Sequence, residues 1–309
     1  MSARRRRGRS IDGVLLLNKP RGITSQTAVS RVKALLGAAK AGHTGTLDPL
    51  ADGLLPVCLG EATKFAQGLL DADKSYRAIV RLGVTTATGD LEGEILEQRT
   101  VTATSDLVLA VLPRFRGEIL QTPPMYSALK RDGKPLYAYA RAGVEIERLP
   151  RRVTIRRLDF EGLDGIDLRI RVDCSKGTYV RVLAEDIGQA LGCGACLAHL
   201  TRFAVGGLTL AGSVSLDALE AMDEFAKART LLPADALVAG LPRVDLAAEE
   251  AARLIQGRPA AGAAPGILGL VRAYAPDGAF LGLAEAHPEG RLVARRLVSS
   301  GAERTAAAS

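Results

Sequence analysis

The sequence lacks the features that mark an exported, disulfide-linked or membrane-spanning protein. Four cysteines in 309 residues are too few for a disulfide framework. No apolar stretch approaches the roughly 20 residues that cross a bilayer. The arginine-rich start is followed only by the apolar run 14–17, whereas an export signal needs about 7–15 apolar residues. We therefore expect no export signal, no membrane span and a reducing cytoplasm as the compartment.

A large excess of charge is also missing from most of the chain. The formal net charge is +7, but five arginines with no acid among them lie in the segment 1–10: Arg4, Arg5, Arg6, Arg7 and Arg9. The remainder holds 36 basic and 34 acidic residues. A nucleic-acid surface would therefore require local clustering of basic residues. We predict that residues 1–10 form a disordered basic tail.

The hydrophobic pattern predicts helices and strands in irregular alternation, which favours a mixed sheet. Thr24 or Ser25 is expected to cap a helix that Gly37 ends. Further on, a helix and three short strands indicate a small β-rich module. Strands are expected at 11–17, 76–82, 153–160, 168–173 and 197–205, and in the module near 267–274, 279–286 and 291–298. We divide the chain into the tail, a main domain over 11–240 and a small domain over 241–309.

The segment 41–65 is predicted to be a loop with chemistry on it. Pro49 keeps Asp48 out of the helical region, and a carboxylate on a rigid loop suits a nucleophile or general base. The same Asp-Pro pair is typical of an ordinary turn in which the aspartate binds its own backbone. Three glycines permit close approach of a ligand: Gly42, Gly45 and Gly53.

The stretch 130–152 is locally basic. It holds seven basic residues against three acidic ones, with Tyr137 and Tyr139 among them and Tyr126 just before. Basic residues interleaved with aromatics suit a phosphate backbone with unstacked bases. The charge alone fits a solvated helix face equally well.

A series of motifs resembles that of the TruB family of pseudouridine synthases. The core of the resemblance is Gly-His-Thr-Gly at 42–45 followed by Leu-Asp-Pro-Leu at 47–50. Further segments match in the same order over about residues 11–205: Asn18-Lys19-Pro20, Gly60–Lys64, Lys74–Arg77, Arg81–Gly83 with Thr86, Thr88 and Asp90, Tyr126–Lys130, and Cys174–Arg181. An ordered series of this length is far more specific than one Asp-Pro pair.

The resemblance implies an α+β pseudouridine synthase fold, with a central mixed, largely antiparallel sheet flanked by helices. Residues 124–152 would be an insertion that grips RNA, and 241–309 a PUA-like RNA-binding domain. The implied activity is isomerisation of uridine 55 in the tRNA T loop to pseudouridine, after the base is flipped out of its stack. The implied partner is the tRNA T stem-loop. The charge of the arginine tail separately indicates weak RNA contact. We expect a cytoplasmic monomer that needs no cofactor, metal, guide RNA or obligate protein partner.

The resemblance assigns catalytic roles to Asp48, Tyr76 and Arg181. Asp48 would be the nucleophile or base, and Tyr76 would pack against the target uracil. Arg181 would pair with Asp48, which keeps the carboxylate ionised and oriented. Without the motifs around them, Tyr76 reads as a core aromatic and Arg181 as part of a surface salt bridge.

The same resemblance implies further substrate-binding residues. His43 would lie beside the target nucleotide, where its ring fills the gap in the base stack. Tyr179 and Leu200 would line the pocket with Tyr76, although Leu200 also fits core packing. The set is completed by Lys64 in its motif and by two basic residues of the insertion, Lys130 and Arg141.

Several alternatives stay open. A non-catalytic RNA-binding protein or tRNA chaperone would use the same groove, and a guide-RNA-dependent pseudouridine synthase would share the aspartate loop. Zinc ligands are conceivable at Cys174, Cys193, Cys196 and His199, but Gly192–Gly194 is typical of a helix end. The sequence also does not choose whether Asp48 attacks C1′, adds to C6 or deprotonates the sugar to a glycal.

Overall fold

The computed structural model describes residues 8–299, which form an eleven-stranded and a five-stranded sheet with short helices around them. Residues 1–7 of the predicted tail, and 300–309 at the other end, lie outside this range. Arg9 does lie inside it, where its backbone N–H donates to the Gly37 carbonyl at 2.7 Å and its side chain pairs with Glu224.

The elements of residues 8–299 are as follows. The strands are β1 (Gly13–Lys19), β2 (Ala41–His43), β3 (Ala51–Leu59), β4 (Lys74–Leu82), β5 (Val84–Thr86), β6 (Ile95–Gln98), β7 (Gly117–Gln121), β8 (Lys130–Arg131), β9 (Lys134–Pro135), β10 (Arg151–Asp164), β11 (Asp167–Cys174), β12 (Ala195–Val205), β13 (Leu208–Thr209), β14 (Val214–Ser215), β15 (Leu231–Leu232), β16 (Arg243–Asp245), β17 (Ala260–Ala261), β18 (Gly269–Tyr274), β19 (Phe280–Ala286) and β20 (Arg291–Leu297). The α-helices are α1 (Ser25–Leu36), α2 (Gln67–Leu70), α3 (Ser105–Val111), α4 (Leu136–Ala140), α5 (Val180–Ala190), α6 (Leu216–Ala221), α7 (Glu224–Arg229) and α8 (Ala248–Ile255), and 3₁₀ turns span Gly60–Phe65, Leu112–Phe115, Ala234–Val238 and Pro288–Gly290.

The large sheet is mixed and mostly antiparallel, as expected. Its strands run in the order β14-β1-β3-β12-β4-β11-β10-β7, with β2, β13 and β15 paired at its sides. Only the β1–β14 and β3–β12 pairs are parallel among these neighbours. The strands predicted at 11–17, 76–82, 153–160, 168–173 and 197–205 are confirmed as β1, β4, β10, β11 and β12.

The prediction of a continuous loop over 41–65 is wrong in most of its length. Residues 51–59 form β3, which lies inside the sheet between β1 and β12. Its side chains Leu54, Leu55 and Val57 are fully buried, and a continuous apolar run is what a strand covered on both faces requires. The real loop is therefore only residues 44–50, which the two strands β2 and β3 hold at its ends.

Helix α1 has the predicted caps, and it also fastens this loop. The Thr24 hydroxyl accepts the Thr27 N–H at 3.0 Å, and Gly37 ends the helix with a φ of 63° in the left-handed region. Ser25 is buried in the first turn. Its hydroxyl accepts the Leu47 N–H at 2.8 Å and donates to the Leu47 carbonyl at 2.9 Å. The residue before Asp48 is thus held from both of its backbone groups.

The five-stranded sheet has the order β16-β18-β19-β20-β17, and it includes the three strands predicted near 267–298. It packs on the 3₁₀ turn that follows β3, where the rings of Phe65 and Phe280 lie 5.1 Å apart in an edge-to-face arrangement. Lys64 of that turn donates to the Leu297 carbonyl at 3.1 Å. None of the helices described within residues 8–299 is long and apolar enough to span a membrane.

We expect Gly188→Ala to destabilise the protein although alanine is the better helix former. Gly188 lies inside α5, and an added Cβ would come 2.3 Å from the backbone nitrogen of Ala195 in β12. Such overpacking costs about 1–3 kcal/mol, more than the roughly 1 kcal/mol gained from helix propensity. Chemical denaturation measures the change. The control is Gly240→Ala, where the added methyl group meets open space; equal stability of both variants would contradict the expectation.

Candidate active site

A pocket of about 400 Å³ lies between the loop 44–50, strands β4 and β12, the start of α5 and the segment that follows β7. It brings together five of the predicted site residues: Asp48, Tyr76, Tyr179, Arg181 and Leu200. The remaining lining consists of Gly45, Thr46, Leu47, Leu70, Lys74, Ser127, Ala128, Leu129, Arg151, Ser175, Gly177, Thr178, Val180 and Arg202.

Asp48 and Arg181 form an ion pair in this pocket. The Arg181 Nε donates to Asp48 Oδ2 at 2.9 Å. The Arg181 side chain is only 5% exposed, whereas 38% of the Asp48 side chain is open to the pocket. The carboxylate is thus held from one side and accessible from the other, as a group that acts on a bound molecule must be.

The Arg181 guanidinium has further partners that fix its position. Nη1 donates to the Thr88 carbonyl at 2.7 Å and Nη2 to the Tyr126 carbonyl at 2.8 Å. Asp90 Oδ2 lies 3.7 Å from Nε. Because each nitrogen has a partner, the guanidinium cannot rotate without losing a hydrogen bond. The hydrogen bond from Nε therefore holds the Asp48 carboxylate in one position.

The sequence reasoning did not single out Asp90 as a site residue. Its side chain is only 6% exposed, and its Oδ1 accepts from the Thr88 hydroxyl at 2.5 Å and from the Glu92 N–H at 3.1 Å. The signal was present, since Asp90 follows Thr86 and Thr88 in a matched motif between two glycines. A buried acid at that turn needs a cation, which Arg181 provides.

Tyr76 lies in β4 and Leu200 in the neighbouring strand β12. Both side chains line the pocket and are mostly buried. Burial raises the pKa of Tyr76 to about 12, so its phenol stays neutral at physiological pH. Tyr179 precedes α5, where its backbone N–H donates to Gln121 Oε1 at 3.0 Å. The Arg151 guanidinium lies 5.0 Å from the Tyr179 ring. Two aromatic rings and one aliphatic side chain therefore offer an apolar surface to a planar molecule beside Asp48.

His43 ends β2, just before the loop and outside the lining of the pocket. The Gly45 N–H donates to its Nδ1 at 3.2 Å, which assigns the proton of the neutral ring to Nε2. Burial, and then the charge of Arg202, lower the pKa of His43 below its usual value. The ring is thus a neutral group whose Nε2–H is a hydrogen-bond donor.

Three other predicted binding residues lie apart from the pocket. Lys64 contacts Glu61 at 2.6 Å and Ser299 at 3.0 Å beside the five-stranded sheet. Lys130 is exposed on β8, directly after the pocket residue Leu129. Arg141 is exposed after α4, with its guanidinium 5.6 Å from the Tyr137 ring. Their binding roles stay predictions.

Metal binding has little support at the cysteines. In the described range 8–299, no three His, Cys, Asp or Glu side chains are grouped so that they could hold a metal ion. The four cysteines are buried free thiols. His199 Nε2 instead lies 2.9 Å from Asp52 Oδ2. The zinc hypothesis therefore finds no ligand set in that range.

Comparison with known families gives matches along nearly the whole chain. Residues 33–180 match the TruB family pseudouridylate synthase N-terminal domain. Residues 181–239 match a tRNA pseudouridylate synthase B C-terminal domain, and residues 242–298 match a C-terminal domain described as pseudouridine synthase II TruB. The second boundary falls between β15 and β16, where the large sheet ends and the small one begins.

Individual proteins show the same similarity. A tRNA pseudouridine synthase B of Thiobacillus denitrificans is 60% identical over 94% of this chain and 97% of its own length. That of Aromatoleum aromaticum is 56% identical over 96% of both chains. Among solved structures, a Cbf5-Nop10-Gar1 complex contains a chain that matches with a TM-score of 0.70 and 28% identity, over 93% of this chain and 84% of that one.

We expect Asp90→Asn to lower the free energy of unfolding by about 1.5–3 kcal/mol, the scale for hydrogen bonds to a charged group. The reason is that Arg181 would keep only the half-open Asp48 as a charged partner. Chemical denaturation measures the change. The matched control is Asp159→Asn, which removes a half-exposed partner of the exposed Arg157 and should cost at most about 1 kcal/mol. Equal losses in the two variants would show that the buried pair contributes no more than a surface one.

Proposed function

This chain belongs to the TruB family of pseudouridylate synthases, and from that premise we propose how it acts on tRNA. It isomerises uridine 55 of the T loop to pseudouridine, with Asp48 as the catalytic residue and without a guide RNA. The observation that carries the proposal is the half-open Asp48 carboxylate held at 2.9 Å by the buried Arg181. Tyr76, Tyr179 and Leu200 border the same pocket.

The reaction needs one well-placed carboxylate and a site that retains the base. The bond from ribose C1′ to N1 of uracil breaks, the base turns, and a bond forms from C1′ to C5. N1 gains a proton and C5 loses one, so the atoms balance within the nucleotide and no electrons are transferred to another molecule. Asp48 serves this chemistry by attack at C1′, by addition to C6 or by removal of a sugar proton. In each case Arg181 orients the carboxylate through its hydrogen bond of 2.9 Å.

The target base must leave its stack before Asp48 can reach it. Flipping costs a few kcal/mol, which the pocket offsets with the apolar faces of Tyr76, Tyr179 and Leu200. The phenol of Tyr76 remains neutral because burial raises its pKa to about 12. We assign His43, next to the loop, to the space that the flipped nucleotide leaves. Its neutral Nε2–H is able to donate to a base of the RNA.

We assign the grip on the RNA to the insertion 124–152. Lys130, Arg131, Lys134 and Arg141 are exposed there, and the Lys134 ammonium lies 4.7 Å from the Tyr139 ring. Arg148 differs, since its side chain donates to the carbonyls of Pro123 and Ile146 and so braces the insertion. Exposed cations beside aromatic rings fit phosphates and unstacked bases.

We assign residues 11–240 to the catalytic domain and 241–309 to a PUA-like RNA-binding domain. The five-stranded sheet and the match over 242–298 support the second assignment. Lys64 lies at the junction of the two, which is consistent with an RNA contact at that junction. We propose a monomer that acts without a protein partner; a tRNA chaperone without catalysis is the second candidate, because it would use the same exposed cations.

We expect Asp48→Asn to abolish turnover while tRNA binding stays within about threefold of the wild type. Loss of a nucleophilic group typically reduces kcat by at least about 10³-fold, and asparagine preserves the shape of the side chain. An unmodified tRNA transcript is incubated with protein alone, and pseudouridine is mapped by position. The control substrate carries cytidine at position 55.

The outcomes separate the candidates. Product at uridine 55 with the wild type and none with the variant is the expected result. Binding without product in the wild type would favour the chaperone, and product only after a guide RNA is added would contradict the stand-alone activity. Product at another uridine would refute the assigned position.

We expect Lys130→Ala combined with Arg141→Ala to weaken tRNA binding and to flatten its salt dependence. Each phosphate contact contributes roughly 0.7–0.9 to the slope of log Kd against log salt concentration, so the slope should fall by about 1–2. The control is Arg99→Ala with Arg157→Ala, two exposed arginines that pair with Glu97 and Asp159. An equal loss of slope in the control pair would mean that the insertion has no special part in binding.

A further inference from the structure

Arg202 is a buried cation beneath the loop that carries Asp48. It lies in β12 and is the largest of the fully buried side chains among residues 8–299, at 1% exposure. Its guanidinium donates from Nε to the Leu54 carbonyl at 2.9 Å, from Nη2 to the Gly45 carbonyl at 3.1 Å and from Nη1 to the Thr46 carbonyl at 3.4 Å. These carbonyls lie on both sides of Asp48 in the chain.

The surroundings of Arg202 differ from those of Arg181. Arg181 is also buried, but it pairs with Asp48 and Asp90. In the part of the chain that the structure describes, Arg202 forms no ion pair; its partners are main-chain carbonyls and the neutral phenol of Tyr76. A charge buried without a counter-ion is costly. The presence of Arg202 in a buried strand therefore indicates that the charge and the shape of its guanidinium have a function.

The charge of Arg202 reaches the groups around the pocket. Burial is the main reason why the pKa values of His43 and Lys74 are lowered, and the charge of Arg202 is the second reason. That charge also opposes the effect of burial on Tyr76. The guanidinium itself borders the pocket. A bound base would therefore rest near the positive charge of Arg202, in the pocket that the Asp48 carboxylate also borders.

Strand β3 packs closely against the main chain of residue 202. Gly53 has a φ of 95°, and a Cβ there would lie 2.3 Å from the Arg202 carbonyl oxygen. The close approach of β3 and β12, which places Arg202 beneath the loop 44–50, thus depends on a glycine at position 53.

We propose that Arg202 is a positioning residue of the isomerisation, which holds the loop 44–50 from below and supplies positive potential to the floor of the pocket. This inference rests on the proposed function. The three donated hydrogen bonds fix the carbonyls of Gly45, Thr46 and Leu54, and through them the place of the Asp48 carboxylate. The positive potential stabilises the negative charge that the uracil carries once the C1′–N1 bond has broken and the electron pair has stayed on the base.

Two substitutions of Arg202, by lysine and by methionine, separate the hydrogen bonds to the loop from the positive potential. Lysine at 202 keeps a charge but loses the planar fork that reaches three carbonyls at once. Methionine keeps much of the volume and loses both. Arg157→Met is the matched control, because Arg157 is exposed on β10 and outside the lining of the pocket.

The first test measures kcat and KM on unmodified tRNA transcript, with thermal unfolding to verify the fold. Displacement of a catalytic group by about 1 Å costs on the order of 10²-fold in rate. We expect kcat to fall about 100-fold in Arg202→Met and about 10-fold in Arg202→Lys, with KM within about threefold of the wild type. A kcat near the wild type in either folded variant, or a loss confined to KM, overturns the positioning role. If Arg202→Met does not fold, Arg202→Lys decides.

The second test needs no RNA and no activity. The chain has only three histidines, His43, His199 and His287, so their imidazole NMR signals can be assigned and followed against pH. Because the charge of Arg202 lowers the pKa of His43, the midpoint for His43 should rise in Arg202→Met and stay near the wild type in Arg202→Lys. An unmoved His43 midpoint in folded Arg202→Met overturns the positive potential. An inactive wild type would refute the proposed function while leaving this measurement intact.

Discussion

The structure of the pocket depends on one constraint: each nitrogen of the buried Arg181 guanidinium requires a hydrogen-bond acceptor. Its partners come from three segments far apart in the chain: Asp48 in the loop after β2, Thr88 and Asp90 in the turn after β5, and Tyr126 after β7. Leaving any of these bonds unmade would bury an unsatisfied charged group, which is expensive. The requirements of a single side chain therefore bring the loop, the turn and the insertion to one place.

The same constraint links substrate binding to the geometry of the site. The segment 126–129 gives Arg181 a carbonyl, supplies one wall of the pocket and continues directly into the exposed cations that begin at Lys130. Under the proposed function, RNA bound at these cations would lie next to the segment that holds Arg181. Recognition of the tRNA and orientation of the Asp48 carboxylate would then depend on one stretch of chain.

The sequence was informative where local patterns decide the structure. Thr24 and Gly37 delimit α1 as predicted, and alternating or continuous apolar runs located β1, β4, β10, β11 and β12. The prediction of a continuous loop at 41–65 was wrong, because its four glycines and two prolines outweighed the apolar run 54–59 that the sheet buries. Motif order led to Asp48, Tyr76, Tyr179, Arg181 and Leu200, which the structure brings together in one pocket while their roles stay predictions. Asp90 and Arg202 escaped because the partners that define them, Arg181 and the carbonyls of the loop 44–50, are distant in sequence and become neighbours only in the fold.

The two buried arginines, Arg181 and Arg202, donate to five main-chain carbonyls: those of Gly45, Thr46, Leu54, Thr88 and Tyr126. A carbonyl is present whatever side chain the residue carries, so these hydrogen bonds can outlast substitutions at positions such as 46 and 126. Side chains of the loop and of the segment 126–129 can therefore be exchanged while the Asp48 carboxylate stays in place. Under the proposed function, contacts to RNA could thus change through side chains although the main chain beneath them is shared with the catalytic group.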